Sequence, residues 1–110
     1  MSNRLQEIQD FLQQAPHDPF IRYALAMEYK NLELFEEAHQ TFTELETLHP
    51  DYVASYLMHG NLLVQMKKKE QAKQIFQQGI LQAKQANHFH ALKELHQANE
   101  QLSEELDAIE

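Results

Sequence analysis

The stretch Glu36-Glu37-Ala38-His39-Gln40-Thr41-Phe42 returns once, 34 residues further on, as Glu70-Gln71-Ala72-Lys73-Gln74-Ile75-Phe76. Glu, Ala, Gln and Phe recur at the same offsets. In each copy Ala and Phe stand four apart, and so share one helix face. A fixed period of this length marks an array of helical hairpins. Each hairpin is too small to bury its own apolar face and needs its neighbours to do so.

Working outward, the period orders the whole chain. Leu5, Ile8, Phe11 and Leu12 draw one apolar stripe over residues 3–14. The helix they predict stops before Ala15-Pro16, because a residue preceding proline disfavours helical dihedrals. Asp18-Pro19 restarts the chain, Asp as N-cap and Pro where its missing N–H costs nothing. A helix over about 19–31 is apolar nearly all round and must pack on more than one side; Asn31 is expected to close it in the left-handed conformation. After a turn through Leu32-Glu33-Leu34 comes a helix over about 35–48, with Phe35, Ala38, Phe42, Leu45 and Leu48 as its stripe. His49-Pro50 ends it and Asp51 is expected to cap the next helix, about 52–66. Lys67-Lys68-Lys69 makes a solvated turn into a helix over about 69–84 that buries Ala72, Ile75, Phe76, Gly79 and Ile80. Gly60 and Gly79 each cost a helix interior about 1 kcal/mol relative to Ala, which close approach of a neighbouring helix would offset. A last helix over about 88–108 carries Leu92, Leu95, Asn99, Leu102, Leu106 and Ile109 as a heptad seam with one polar position. The seam is expected to lie on the second hairpin as a cap; its alternative use is dimerisation, through Leu92, Leu95, Asn99 and Leu102.

Composition narrows the class. The 110 residues suit one domain with a single core, and 43% of them are apolar. Glutamine, glutamate, leucine, alanine and lysine are plentiful, and no Asn-Gly or Asp-Gly turn separates alternating apolar runs, so the expected class is all-α. The formal net charge is −8, with no concentrated basic face such as nucleic acid requires. No apolar run is long enough to span a membrane, and the first residues do not read as a signal peptide. Cysteine is absent, which removes disulfides, thiol catalysis and thiolate metal sites. A cytoplasmic protein with no membrane association is the expectation.

These residues resemble the tetratricopeptide repeat, whose 34-residue pattern is Trp-x2-Leu-Gly-x2-Tyr, then Ala-x3-Phe, then Pro. Arg22, Leu25, Ala26, Tyr29, Ala38, Phe42 and Pro50 match it in the first copy, with Arg22 in place of the aromatic. Tyr56, His59, Gly60, Leu63, Ala72, Phe76 and Lys84 occupy the same positions in the second, where His59, Leu63 and Lys84 depart. The resemblance implies a short α-solenoid of about six helices: a half-repeat over 1–16, repeats over 19–52 and 53–86, and a capping helix over 87–110. Ile8 precedes Pro16 by the same interval as Phe42 precedes Pro50. In the last helix the corresponding positions, His90, Lys93, Glu94 and Gln97, are polar, as a terminal cap requires.

Such arrays bind peptides or partner proteins in a groove lined by the first helix of each repeat. By register the groove would present Phe20, Tyr23, Met27, Lys30, Leu57, Asn61, Val64, Ala91 and Leu95, a mostly apolar set. The family's chaperone-tail binders clamp a terminal carboxylate with Lys and Asn. The equivalent positions here hold Tyr23, Met27, Met58 and His88, so that specialisation is not expected. Alternatively, the apolar groove residues are core beneath the last helix.

Chemistry finds little support. The chain has seven histidines, but no two stand four apart on one helix, and the pairs His90–Glu94 and His96–Glu100 suit surface contacts better than a metal. Ser2, Ser55 and Ser103 lie on no strand-to-helix elbow, and no glycine loop could cradle phosphate. No catalysis, metal or cofactor is expected. Two functions follow: an adaptor that holds a partner segment in an apolar groove, or a module that self-associates through its last helix or the end of the stack.

Overall fold

A computed structural model describes residues 3–109, apart from the side chain of Ile109, so that this end of the seam and the flanking Ser2 and Glu110 lie outside the described residues. Six helices follow in order: α1 (Asn3–Gln14), α2 (Pro19–Asn31), α3 (Phe35–Leu48), α4 (Ala54–Gln65), α5 (Lys69–Ala86) and α6 (Phe89–Ile109). Among the described residues there is no strand. The fold is all-α and made of packed helical hairpins, as the repeat predicts.

The chain forms two compact units, residues 1–49 and 50–110, each with its own set of buried side chains, where one undivided core was the expectation from length. In the first unit α2 packs on both α1 and α3. Ile8, Leu25, Ala26, Ala38, Phe42 and Leu45 are buried there. In the second unit α5 packs on α4 and α6, and α6 also touches α4. Val53, Tyr56, Leu63, Ala72, Phe76, Ala83, Leu95 and Leu102 make the core of that unit.

The local signals explain most boundaries. Asp18 caps α2: its carboxylate accepts from the Phe20 N–H at 2.9 Å, with Pro19 at the first helical position. In α3, Thr41, Thr43 and Thr47 each donate a hydroxyl hydrogen to the carbonyl four residues back, at 2.8–2.9 Å, which keeps these β-branched residues compatible with the helix.

Several local expectations are corrected. Asn31 stays within α2, and Glu33 takes the left-handed conformation with φ 61°. Its N–H reaches the Lys30 carbonyl and the Leu34 N–H reaches that of Tyr29, the paired closure of a Schellman motif. Lys67, one repeat later, does the same with φ 64°, donating to Val64 while Lys68 donates to Leu63. Asn87 with φ 57° closes α5. Neither Glu33 nor Lys67 signals this conformation by residue type; the repeat geometry imposes it. Asp51 does not cap α4, which starts at Ala54 behind Val53 with no side-chain cap. Phe11 and Leu48, placed on apolar stripes by periodicity, are more than half exposed, each in the last turn or so of its helix. Ala83 is buried in α5 beyond the expected set.

Candidate functional site

In the first unit, α2 carries the expected first-helix positions. Phe20 is 64% exposed, whereas Tyr23, Met27 and Lys30 are half-buried. The Tyr23 ring meets the Phe42 ring edge-on, with centroids 6.3 Å apart and planes at 66°. This contact ties one face of the tyrosine to the repeat phenylalanine of α3. The opposite flank of α2 is fixed by α1. Arg4 donates to Glu28 at 2.8 Å, and Gln9 donates to the Tyr29 hydroxyl at 3.2 Å. Glu28 is only 7% exposed, so its carboxylate depends on Arg4 for a partner.

Arg22 stands where the repeat pattern has a large aromatic. Its guanidinium donates to Glu44 of α3 and to the Pro16 carbonyl, each at 3.0 Å, and only 13% of the side chain is exposed. The long apolar stem fills the aromatic's place while the head ties the α1–α2 turn to α3.

In the second unit, α4 is drawn close to α5 and α5 to α6 by two glycines. A Cβ on Gly60 would run into the Phe76 ring, with its Cδ1 at 2.5 Å and Cζ at 2.7 Å. A Cβ on Gly79 would lie 2.5 Å from Tyr56 Cβ and 3.1 Å from Leu95 Cδ2. Both positions are therefore glycine because a neighbour occupies the space, which is the reason expected from sequence. The Tyr56 hydroxyl donates to the Pro50 carbonyl at 2.5 Å.

Between α4 and α6, above Phe76, lies a cleft of about 230 Å³ lined by Asn61, Val64, Phe76, Ala98, Gln101, Leu102 and Glu105. Asn61 and Val64 are among the expected groove residues, and the cleft brings them together with the face of α6. Sequence reasoning missed Ala98, Gln101 and Glu105 as lining. Yet the spacing 98, 101, 102, 105 is a single helical stripe, and a count of stripes beside the seam could have found it. Glu105 has an opposite charge beside it within the chain: Lys69 of α5 stands 3.5 Å away.

Leu57, Val64 and Ala91 are half-buried and pack against the core of this unit. Leu95 is a correction: it is 0% exposed and lies inside the core, so it cannot line a surface groove. The α6 seam is likewise committed internally. Leu95 and Leu102 are core, with Leu92, Ala98 and Leu106 packed against it, so the seam proposed for dimerisation faces α5 and α4 instead of solvent. Asn99, its polar position, keeps a buried Oδ1 without a hydrogen-bond partner.

The histidines do not converge. No group of three or more His, Cys, Asp or Glu that could hold a metal occurs among the described residues. His90 and Glu94 stand 3.4 Å apart at the surface, the contact their spacing suggested. His59, in place of a repeat leucine, is 1% exposed within α4. No helix among the described residues is long and apolar enough to cross a membrane.

A family model described as the tetratricopeptide repeat matches residues 32–95. This chain is a tetratricopeptide repeat protein. A tetratricopeptide repeat domain protein from Salinibacter ruber, solved in solution, is 34% identical; the match covers 79% of this chain and 88% of that one, with TM-score 0.76. Two further structures share the fold at low identity. The TPR2B domain of yeast Sti1, solved in complex with pHsp70, is 17% identical over 92% of this chain and 81% of that one, with TM-score 0.84. PcrH, solved in complex with the chaperone binding region of PopD, is 14% identical over 92% of this chain and 77% of that one, also with TM-score 0.84. Comparison with curated proteins finds no match.

Proposed function

We propose that this tetratricopeptide repeat protein is a non-catalytic adaptor that holds an apolar or amphipathic segment of a partner protein against the first helices of its repeats. The observation that supports the reading is apolar surface left accessible on α2 in the first unit and on α4 in the second. Phe20, Tyr23 and Met27 on α2 and Leu57 and Val64 on α4 all keep accessible apolar surface, while Leu25 and Ala26 of α2 and Tyr56, Leu62 and Leu63 of α4 are buried. Apolar surface of this kind, flexible at methionine and rigid at the aromatics, suits adaptable contact with a partner. Two proteins of the same fold were solved with peptide or protein segments bound, the pHsp70 complex of Sti1 and the PopD complex of PcrH. Lys30 supplies the one cation of the α2 set, at its C-terminal end.

Self-association is the competing reading, and the burial of Leu95 and Leu102 in the second unit leaves its seam without a free face. Sedimentation at several concentrations is expected to report a monomer. The binding test is affinity capture from the native extract with wild type and with Phe20→Ser. That side chain is largely exposed, so its loss should leave the thermal midpoint near wild type while reducing the recovered partner. Unchanged recovery by Phe20→Ser together with Met27→Ser rejects the α2 surface.

A further inference from the structure

The α4–α6 cleft of the second unit combines a defined volume with a carboxylate in its lining. We infer that it is a side-chain pocket for a basic partner segment: one that inserts a branched or aromatic side chain over Phe76 and sets a neighbouring arginine or lysine against Glu105. The inference rests on the adaptor reading above and makes it specific.

Volume and lining set the first half of that chemistry. A cavity of about 150 Å³ with apolar walls accepts benzene, so the roughly 230 Å³ here admits a leucine, methionine or phenylalanine side chain. Val64, Ala98 and Leu102 are its walls and the Phe76 ring its floor. The floor is rigid, because the ring is seated where a Cβ on Gly60 would have to be. Leu102 is part of the core and cannot swing away to close the space. The small side chain of Ala98 leaves the volume open; any long apolar residue there would fill it.

Charge sets the second half. Among the described lining residues Glu105 is the one carboxylate, beside the amides of Asn61 and Gln101. Lys69 approaches it at 3.5 Å, and both side chains remain substantially exposed, so this is a loose, screened pair that a partner's cation can replace at little cost. After Lys93, α6 contains no lysine or arginine but carries Glu94, Glu100, Glu104, Glu105 and Asp107. Its last turn has no base, although the C-terminal end of a helix dipole favours cations and disfavours carboxylates. Of these acids Glu105 alone lines the pocket; Glu100, Glu104 and Asp107 stand on the face of α6 opposite the stripe 98, 101, 102, 105, so the negative charge at the pocket is that of Glu105. An acidic segment or a terminal carboxylate would meet repulsion there, whereas a guanidinium gains a bidentate acceptor.

The probe is a short, amidated, fluorescein-labelled peptide with one central phenylalanine followed by arginines, titrated into the full chain and followed by anisotropy and by backbone amide NMR shifts. Shifts are expected at Asn61, Val64, Ala98, Gln101 and Leu102. Affinity should fall by about tenfold or more when the peptide's phenylalanine becomes alanine, when its arginines become glutamates, or when the pocket is filled by Ala98→Met. Glu105→Gln, which keeps the shape and sits on an exposed side chain, should weaken binding and flatten its salt dependence. That second variant, with the shift map, guards against a folding defect in the first. Shifts centred on Tyr23 and Met27 instead would overturn the pocket while supporting the broader groove. Equal binding of the glutamate peptide overturns the charge assignment. Shifts of the same five amides on concentrating the protein alone would give the pocket to a second copy and overturn a basic partner. No shift with any peptide overturns the inference, and leaves the adaptor reading to the affinity capture.

Discussion

The hairpin α2–α3 and the hairpin α4–α5 share one repeat but hold their crossings differently. In the first, the small residue is Ala26, the aromatic position is taken by Arg22, and the repeat phenylalanine Phe42 is met edge-on by Tyr23. In the second, the small residue is Gly60, Tyr56 occupies the aromatic position, and Phe76 packs directly on the glycine backbone. The first hairpin is fastened by Asp18 to Phe20 and by Arg22 to Glu44 and Pro16, whereas α4 starts without a side-chain cap and Tyr56 ties it to the Pro50 carbonyl. One sequence pattern thus accommodates two balances between close packing and polar anchoring, and the glycine in the second leaves Phe76 placed to floor a cleft.

The largest effect should come from the residues the hairpins have in common. Phe42→Ala and Phe76→Ala each remove a fully buried ring and should cost about 3–5 kcal/mol in urea unfolding, comparable in the two hairpins. A large asymmetry would mean that the crossings are not equivalent. The small-residue position should separate them by the size of the loss. Gly60→Ala gains helix propensity but forces a Cβ into the Phe76 ring, so a net loss of about 1–3 kcal/mol is expected. Ala26→Gly has no such clash to relieve and should cost only about 1 kcal/mol through propensity and lost packing. If Gly60→Ala proves stabilising, the close approach is weaker than the geometry indicates. At the turns the hairpins should behave alike again. Glu33→Gly and Lys67→Gly place the permissive residue at left-handed positions and should each stabilise by about 1 kcal/mol, read as a raised thermal midpoint. The smallest effect belongs to the first hairpin alone: Asp18→Ala should cost about 1 kcal/mol or less of stability, by loss of the one N-cap hydrogen bond.

Much of the fold was legible in advance because helix boundaries are written locally. Pro16, Pro19 and Pro50 stop and start helices through fixed dihedrals, Asp18 caps through its own carboxylate, and the glycines mark crowding. Where a signal depends on what lies opposite, sequence reading failed. Leu95 fits a groove position and a seam position equally well by number, and only packing shows it in the core of the second unit. Phe11 and Leu48 follow the apolar stripe by number and are nonetheless more than half exposed. The pairing of Glu105 on α6 with Lys69 on α5 joins residues far apart in the chain, and no local signal marks it.

By itself the sequence determined the repeat, the six helices and the family, because periodicity and turn chemistry are properties of neighbouring residues along the chain. Tertiary structure alone decided that α6 spends its seam on α4 and α5, that Glu33 and Lys67 take left-handed turns without glycine, and that Asn61 and Val64 meet Ala98 and Glu105 across a cleft. The reason is physical: a helical period states which side chains share a face, but what that face meets depends on elements brought to it by folding.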